Sequence, residues 1–264
     1  MHLILASRED EASMSMAGRL LDTVDFRGYP DYDGLLAHGN FLFSYIEVKH
    51  LFLENFDQLF GSLRERVSDV IFLSRHSSKA DIKSLTVHPT GNFNGAILGG
   101  REKRLSMSDP GKMTSTLRAM NQKYSGSAFS VTFEATHHGP LLDIPNFFIE
   151  IGTTETQWKD SEALDAVVQS IMSPEKQGLP SYVGAGGGHY MPKVTRYALE
   201  NDVDVGHMIS KHALEEISES MLLQSIEKTP NCKGFIVDRK GVKSQAKQLI
   251  SSISDQFGLE TILV

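Results

Sequence analysis

Histidine and carboxylate side chains of this chain collect where short apolar runs give way to polar or glycine-rich segments. Five such segments stand out: Ser74-Arg75-His76-Ser77-Ser78-Lys79, Glu134-Ala135-Thr136-His137-His138-Gly139-Pro140, Gly184-Ala185-Gly186-Gly187-Gly188-His189-Tyr190, Gly206-His207 and Asp238-Arg239-Lys240-Gly241. In open α/β sheets, ligands bind in the crevice beyond the carboxyl ends of the strands. If the preceding runs are mostly parallel strands, the segments converge on one rim. His76, His137 or His138, His189 and His207 would then surround a common cleft. A lone histidine after a strand is usually a surface or hydrogen-bonded residue. Five such segments in one chain argue for a shared site.

The individual residues carry different expectations. Adjacent residues of an extended segment point to opposite sides. One of His137 and His138 is therefore expected to face a substrate, and the other to orient a neighbour or bind a metal. Glu150 interrupts the apolar run Phe147-Phe148-Ile149-Glu150-Ile151. A carboxylate there is costly unless paired, so it is either hydrogen-bonded for structure or aimed into the site. Glu134, at the end of its strand, is the better candidate to orient a histidine. Consecutive glycines let a backbone approach a ligand and turn N–H groups toward an anion; the alternative is a tight connection needing positive φ. The stretch is not a P-loop, and His189 stands where a dinucleotide fingerprint needs its third glycine. Pro192 suits the first turn of a following helix, a plausible anion site. There is no Gly-x-Ser-x-Gly elbow and no His-Glu-x-x-His zinc helix. The ten histidines follow no standard zinc spacing.

These residues must be held by an α/β framework. Strands are predicted at Leu3–Ala6, Phe41–Glu47, Val70–Leu73, Ser84–Val87, Ala128–Glu134, Phe147–Ile151, Tyr182–Gly184, Phe235–Val237 and Thr261–Leu263. Helical spacing marks Glu9–Asp22, Met113–Tyr124, Leu164–Met172 and Val242–Phe257, the last stopped by Gly258. Residues 26–39, rich in Gly and Asp, read as a loop. The pattern implies a mixed or mostly parallel sheet flanked by helices, with residues 1–264 as a single α/β domain. One cysteine, Cys232, in an apparent turn, excludes an intrachain disulfide and a cysteine-based zinc module. The N-terminus lacks a signal-peptide pattern and no window is long enough to span a membrane, so a soluble cytoplasmic protein is expected. A formal net charge of −7 argues against a globally basic nucleic-acid coat but permits a local basic groove. Basic residues gather in Arg101-Glu102-Lys103-Arg104 with Lys112, and in Arg239, Lys240, Lys243 and Lys247.

Read together, Ser74–Lys79, Thr90-Gly91-Asn92, Glu134–Pro140, Phe147–Gly152 and Gly186–Tyr190 resemble the blocks of the archaeal and plant D-aminoacyl-tRNA deacylases. The resemblance spans the chain from Ser13-Met14 to Asp238-Arg239-Lys240-Gly241; Phe93 stands where tryptophan is expected in many relatives. It implies a fold similar to peptidyl-tRNA hydrolase and the phosphorylase/hydrolase-like folds. It also implies hydrolysis of the ester between a D-amino acid and the terminal adenosine of tRNA, by a protein expected to act as a monomer. Zinc is associated with the family, and His76, His189 and Glu150 are the candidate ligands. His138 or His137 is then the expected base, oriented by Glu134. The backbone N–H groups of Gly186, Gly187 and Gly188, or zinc, would hold the oxyanion. Arg75, Lys79 and Lys240 are the expected substrate contacts. Two alternatives stay open: a metal-dependent amidohydrolase or nucleoside phosphorylase on the same fold, and a non-catalytic module that binds an anion or tRNA.

Overall fold

Continuous runs of branched and aromatic residues become strands buried on both faces, as parallel sheets covered by helices require. The computed structural model describes residues 1–264 except 31, 55 and 78–81. Its strands are β1 (His2–Ser7), β2 (Arg27–Gly28), β3 (Leu36–His38), β4 (Phe41–Ile46), β5 (Asp69–His76), β6 (Ser84–His88), β7 (Gly91–Asn92), β8 (Arg104–Leu105), β9 (Ser130–Phe133), β10 (Asn146–Gly152), β11 (Ser181–Ala185), β12 (Asp204–Ile209), β13 (Cys232–Val237) and β14 (Glu260–Leu263). Its helices are α1 (Glu11–Thr23), α2 (Phe56–Phe60), α3 (Pro110–Lys123), α4 (Glu155–Trp158), α5 (Ser161–Ile171), α6 (Pro192–Glu200), α7 (Glu219–Glu227) and α8 (Ser244–Phe257). Among the described residues the strands form an eight-stranded sheet ordered β2-β3-β4-β1-β5-β10-β6-β9. A four-stranded sheet, β12-β11-β13-β14, and the ribbon β7-β8 complete them. β4, β1, β5 and β10 run parallel, β6 is antiparallel to β10, and the second sheet is parallel throughout. This is the α/β class that the alternating pattern implies.

Strand alternation sorts the large sheet into two faces. Ile4, Ala6, Ile71, Leu73, Phe147 and Ile149 share one core with Met16 of α1, Leu117 of α3 and Val167 of α5. Leu3, Leu5, Val70, Phe72 and Phe148 pack on the other side with Phe56, Phe60 and Leu142. Along that second face the register runs on into polar residues. Phe148 pairs with His88, Glu150 with Ser74 and Thr86, and Gly152 with His76. Asp10 caps α1 by accepting the Ser13 N–H at 3.0 Å, which starts the helix at Glu11. Gly258 ends α8 with φ +64°, as the sequence predicts.

Several expectations need correction. Residues 26–39, read as a loop, contain β2 and β3, which are too short to show a period. Gly206 and His207, taken to follow a strand, lie inside β12. Cys232 opens β13 and its thiol is a half-buried free one, lying 3.5 Å from the Gly234 carbonyl. Lys112 is 1% exposed, and its ammonium donates to the carbonyls of Ile171 and Ser173 at 2.8 and 3.0 Å. It ties α3 to the end of α5 and is closed to phosphate. No helix among the described residues is long and apolar enough to cross a membrane.

Candidate active site

The polar stretch of the sheet face opens onto a cleft of 440 Å³ beyond the carboxyl ends of β1, β4 and β5. Glu9 and Asp10 follow β1, Lys49 and His50 follow β4, and Arg75 and His76 close β5. His137, His138, Glu150 and His189 complete the reactive part of the wall. His76 has room because position 152 is glycine: a Cβ there would lie 2.7 Å from His76 Cδ2. His138 has φ +45°. That left-handed turn breaks the alternation of an extended segment, so both His137 and His138 line the cleft, with ring centroids 4.3 Å apart. The expectation that only one would face inward assumed extended backbone.

Three imidazoles are held in one tautomer. Nδ1 of His137 lies 2.8 Å from the Ala135 carbonyl, Nδ1 of His138 2.7 Å from that of Gly139, and Nδ1 of His88 3.2 Å from that of Pro89. A carbonyl only accepts, so each Nδ1 carries its hydrogen. In His137 and His138, whose burial keeps the rings neutral, each Nε2 is left with a bare lone pair. Burial opposes a proton on His88 too, but there Glu150 and Glu134 favour one. His88, His137 and His138 each offer a ligand atom within 4.8 Å of the others. His76, Glu134 and His189 form a second such group, and His88, Glu134 and Glu150 a third.

Glu134 is fully buried. Its oxygens lie 2.9 Å from His76 Nδ1 and 3.0 Å from His189 Nε2, while Glu150 Oε1 lies 3.7 Å from His88 Nε2. These approaches lack the direction of hydrogen bonds: both Glu134 oxygens and His88 Nε2 are buried without a hydrogen-bond partner. Leaving such atoms unmade is expensive, on the order of 1–3 kcal/mol each. Donor atoms crowded together without pointing at one another fit a shared cation.

The electrostatics agree. Burial, helped by His88, pushes His138 down to about 3 and His137 well below its ordinary value, so both are neutral. Burial opposes a proton on His76 too, but Glu134 and Glu150 hold it up at about 10. Burial likewise opposes the Glu134 charge, yet His189 and His76 keep the carboxyl well below its usual range. A cation would take the place of the protons that these carboxylates now attract.

Of the residues singled out in the sequence, His76, Glu134, His137, His138, Glu150 and His189 come together, and Arg75 is exposed at the cleft wall. Lys79 lies outside the described residues. Lys240 sits on the turn where Asp238 Oδ1 accepts its backbone N–H at 2.9 Å, away from the cleft wall. Gly186, Gly187 and Gly188 do not line the cleft either. The N–H of Gly186 is spent on the Ile209 carbonyl at 2.9 Å and that of Gly188 on Tyr190 at 3.2 Å, which removes both as oxyanion donors. His207 is buried in β12, 2.9 Å from the Ser106 carbonyl and 3.1 Å from the Thr136 hydroxyl, and braces the structure outside the cleft.

Two histidines escaped the sequence reading. His88 ends β6 and stacks on Phe148 at 5.3 Å. The step from an apolar run into His88-Pro89-Thr90 was the signal that could have found it. His50 is buried edge-on against Phe72 and Phe148, and burial lowers it to about 4.

Comparison with known proteins follows the same line. The family model described as D-aminoacyl-tRNA deacylase matches residues 63–262. A D-aminoacyl-tRNA deacylase of Thermoplasma acidophilum is 46% identical over 265 residues and spans the whole of both chains. That of Thermococcus kodakarensis is 34% identical over 276 residues, covering 99% of each chain. A crystal structure described as a conserved protein of unknown function superposes with a TM-score of 0.89 at 28% identity, over 100% of this chain and 95% of that one.

Proposed function

The chain belongs to the D-aminoacyl-tRNA deacylase family, and we propose that its histidine–carboxylate cleft is where the substrate ester is cut. The reaction is hydrolysis of D-aminoacyl-tRNA to free D-amino acid and tRNA, a proofreading step in translation. The observation that carries the placement is the crowding of His88 Nε2 and both Glu134 oxygens, buried without a hydrogen-bond partner, beside the open cleft.

Zinc suits this donor set of neutral imidazoles and carboxylates. His88, His137 and His138 would hold one ion, and His76, Glu134 and His189 offer a second place. When bound, zinc supplies Lewis acidity at the cluster. His137 and His138 thereby move from the role of base to that of ligand, because burial makes both rings too weakly basic to hold a proton while each Nε2 stays open to a metal. The carbonyl contacts fix ring orientation, as the outer partners of metal-binding histidines generally do. Glu150 is the carboxylate of the cluster that lines the cleft, and it takes the proton from the attacking water. Arg75, exposed at the wall, is the cation placed to meet a phosphate. We read residues 1–264 as one working unit that acts on tRNA.

Matched D-Tyr- and L-Tyr-tRNA test the reading. Free tyrosine should appear roughly 10–100-fold faster from the D ester, the discrimination that a pocket wall ordinarily supplies. Equal rates, or binding of tRNA with the ester left intact, would sink it.

A further inference from the structure

An apolar rim borders the cleft. Ile97 is 92% exposed, Leu98 53% and Phe52 51%. Single exposed apolar residues are ordinary, but a cluster beside a polar site is a binding surface. Leu51 and Leu98 line the cleft together with His137 and His138, so the rim continues the reactive wall outward.

The rim is held rigidly by the histidine segment itself. Gly139 donates its N–H to the Leu98 carbonyl at 3.0 Å. A side chain on Gly139 would collide with Gly100 and the Leu51 carbonyl, and one on Gly99 would collide with Leu51. A Cβ at position 99 would also lie 3.4 Å from Phe52 Cδ1, which puts the Phe52 ring beside Gly99, one residue from Leu98. Three chain segments meet there without side chains between them. The rim is thus packed backbone to backbone against the turn that carries His138.

We propose that Phe52, Ile97 and Leu98 form the platform on which the terminal base of the tRNA stacks, an inference that rests on the ester-hydrolysing reading of the cleft. The ester sits on the ribose that carries that base, so the base must land within a nucleotide's reach of the histidines. A base presents a flat apolar face, and an aromatic ring with aliphatic neighbours matches it without reading sequence. Lys49, in the cleft wall beside His50, gives the adjoining phosphate a cation. Such local capture is what a chain of net charge −7 needs, since its long-range field repels nucleic acid.

The test compares 2′(3′)-O-(D-tyrosyl)adenosine with D-tyrosine ethyl ester, which has no base. Phe52→Ala should raise KM for the adenosine ester by roughly 5–100-fold, the worth of one stacked base. Its kcat/KM on the ethyl ester should fall far less, and Phe52→Trp should keep the wild-type preference for the adenosine ester. The double change Ile97→Ser with Leu98→Ser should reproduce the selective loss. If the wild type cleaves both esters and these variants lose equally on both, the platform is wrong while the hydrolytic reading stands. If the wild type cleaves neither, both fall together. A wild-type dimer in size-exclusion chromatography that the same substitutions dissolve would assign the rim to a second copy and overturn the proposal.

Discussion

Alanine in place of His137 should cut D-aminoacyl-tRNA hydrolysis by more than about 100-fold, and alanine in place of His138 should do the same. The size follows from the proposed ligand role: even an outer partner of a metal-binding histidine is worth roughly 10–100-fold. Loss of a ligand should exceed that, and zinc per chain should fall in step. His137 is the cleaner test of the two, because its side chain is 29% exposed and its removal leaves little buried void. The metal-free variant should therefore melt close to the metal-free wild type. Near-normal turnover in both variants would remove the pair from the mechanism. Lost turnover with full zinc content would return them to the role of proton acceptor.

Glu134→Gln should be the most disruptive isosteric change in the chain. The carboxylate is fully buried between His76 and His189, and glutamine keeps its shape while deleting its charge. Removing one partner of a buried ion pair costs about 3–5 kcal/mol. For a chain of this size that is roughly 6–20 °C in Tm. In metal-free protein the deficit has a pH signature. His76 is raised to about 10 in the folded protein, so its contribution is complete below its unfolded value near 6.5 and disappears as pH rises through about 10. The wild type should thus lose its advantage over Glu134→Gln toward alkaline pH. Deacylation should also fall, since Glu134 belongs to two of the three donor groups. Equal melting temperatures in chelator at pH 6 would contradict the electrostatic account.

The strands that build the site were legible because their periods are simple. Val70–Leu73 is apolar without interruption and forms the centre of β5. Glu150 announced itself by breaking the run of β10. The rule that polar segments follow strand ends found His76, His137, His138 and His189, but only His76 lies on the parallel set the rule assumed. His137 and His138 follow β9, which runs antiparallel to β5 and β10, and His189 follows β11 of the other sheet. The same rule failed for His207. Gly206 and His207 fall in the middle of β12, and glycine inside a strand looks like the end of one. It also passed over His88, although it too stands where an apolar run, β6, gives way to Pro89-Thr90-Gly91-Asn92. Orientation between strands leaves no mark on a single sequence. Nor do the backbone hydrogen bonds of a glycine loop: the glycines at 186–188 have the right type for an anion loop, yet the carbonyls of Ile209 and Tyr190 already hold two of their N–H groups.

Stripping the protein with a chelator and titrating zinc back against D-Tyr-tRNA tests the central claim most directly. Hydrolysis should be absent from the stripped protein and should return in proportion to zinc bound, with the His137→Ala protein failing to recover at the same concentrations. A stripped, metal-free protein that cleaves D-Tyr-tRNA at the full rate would contradict the account.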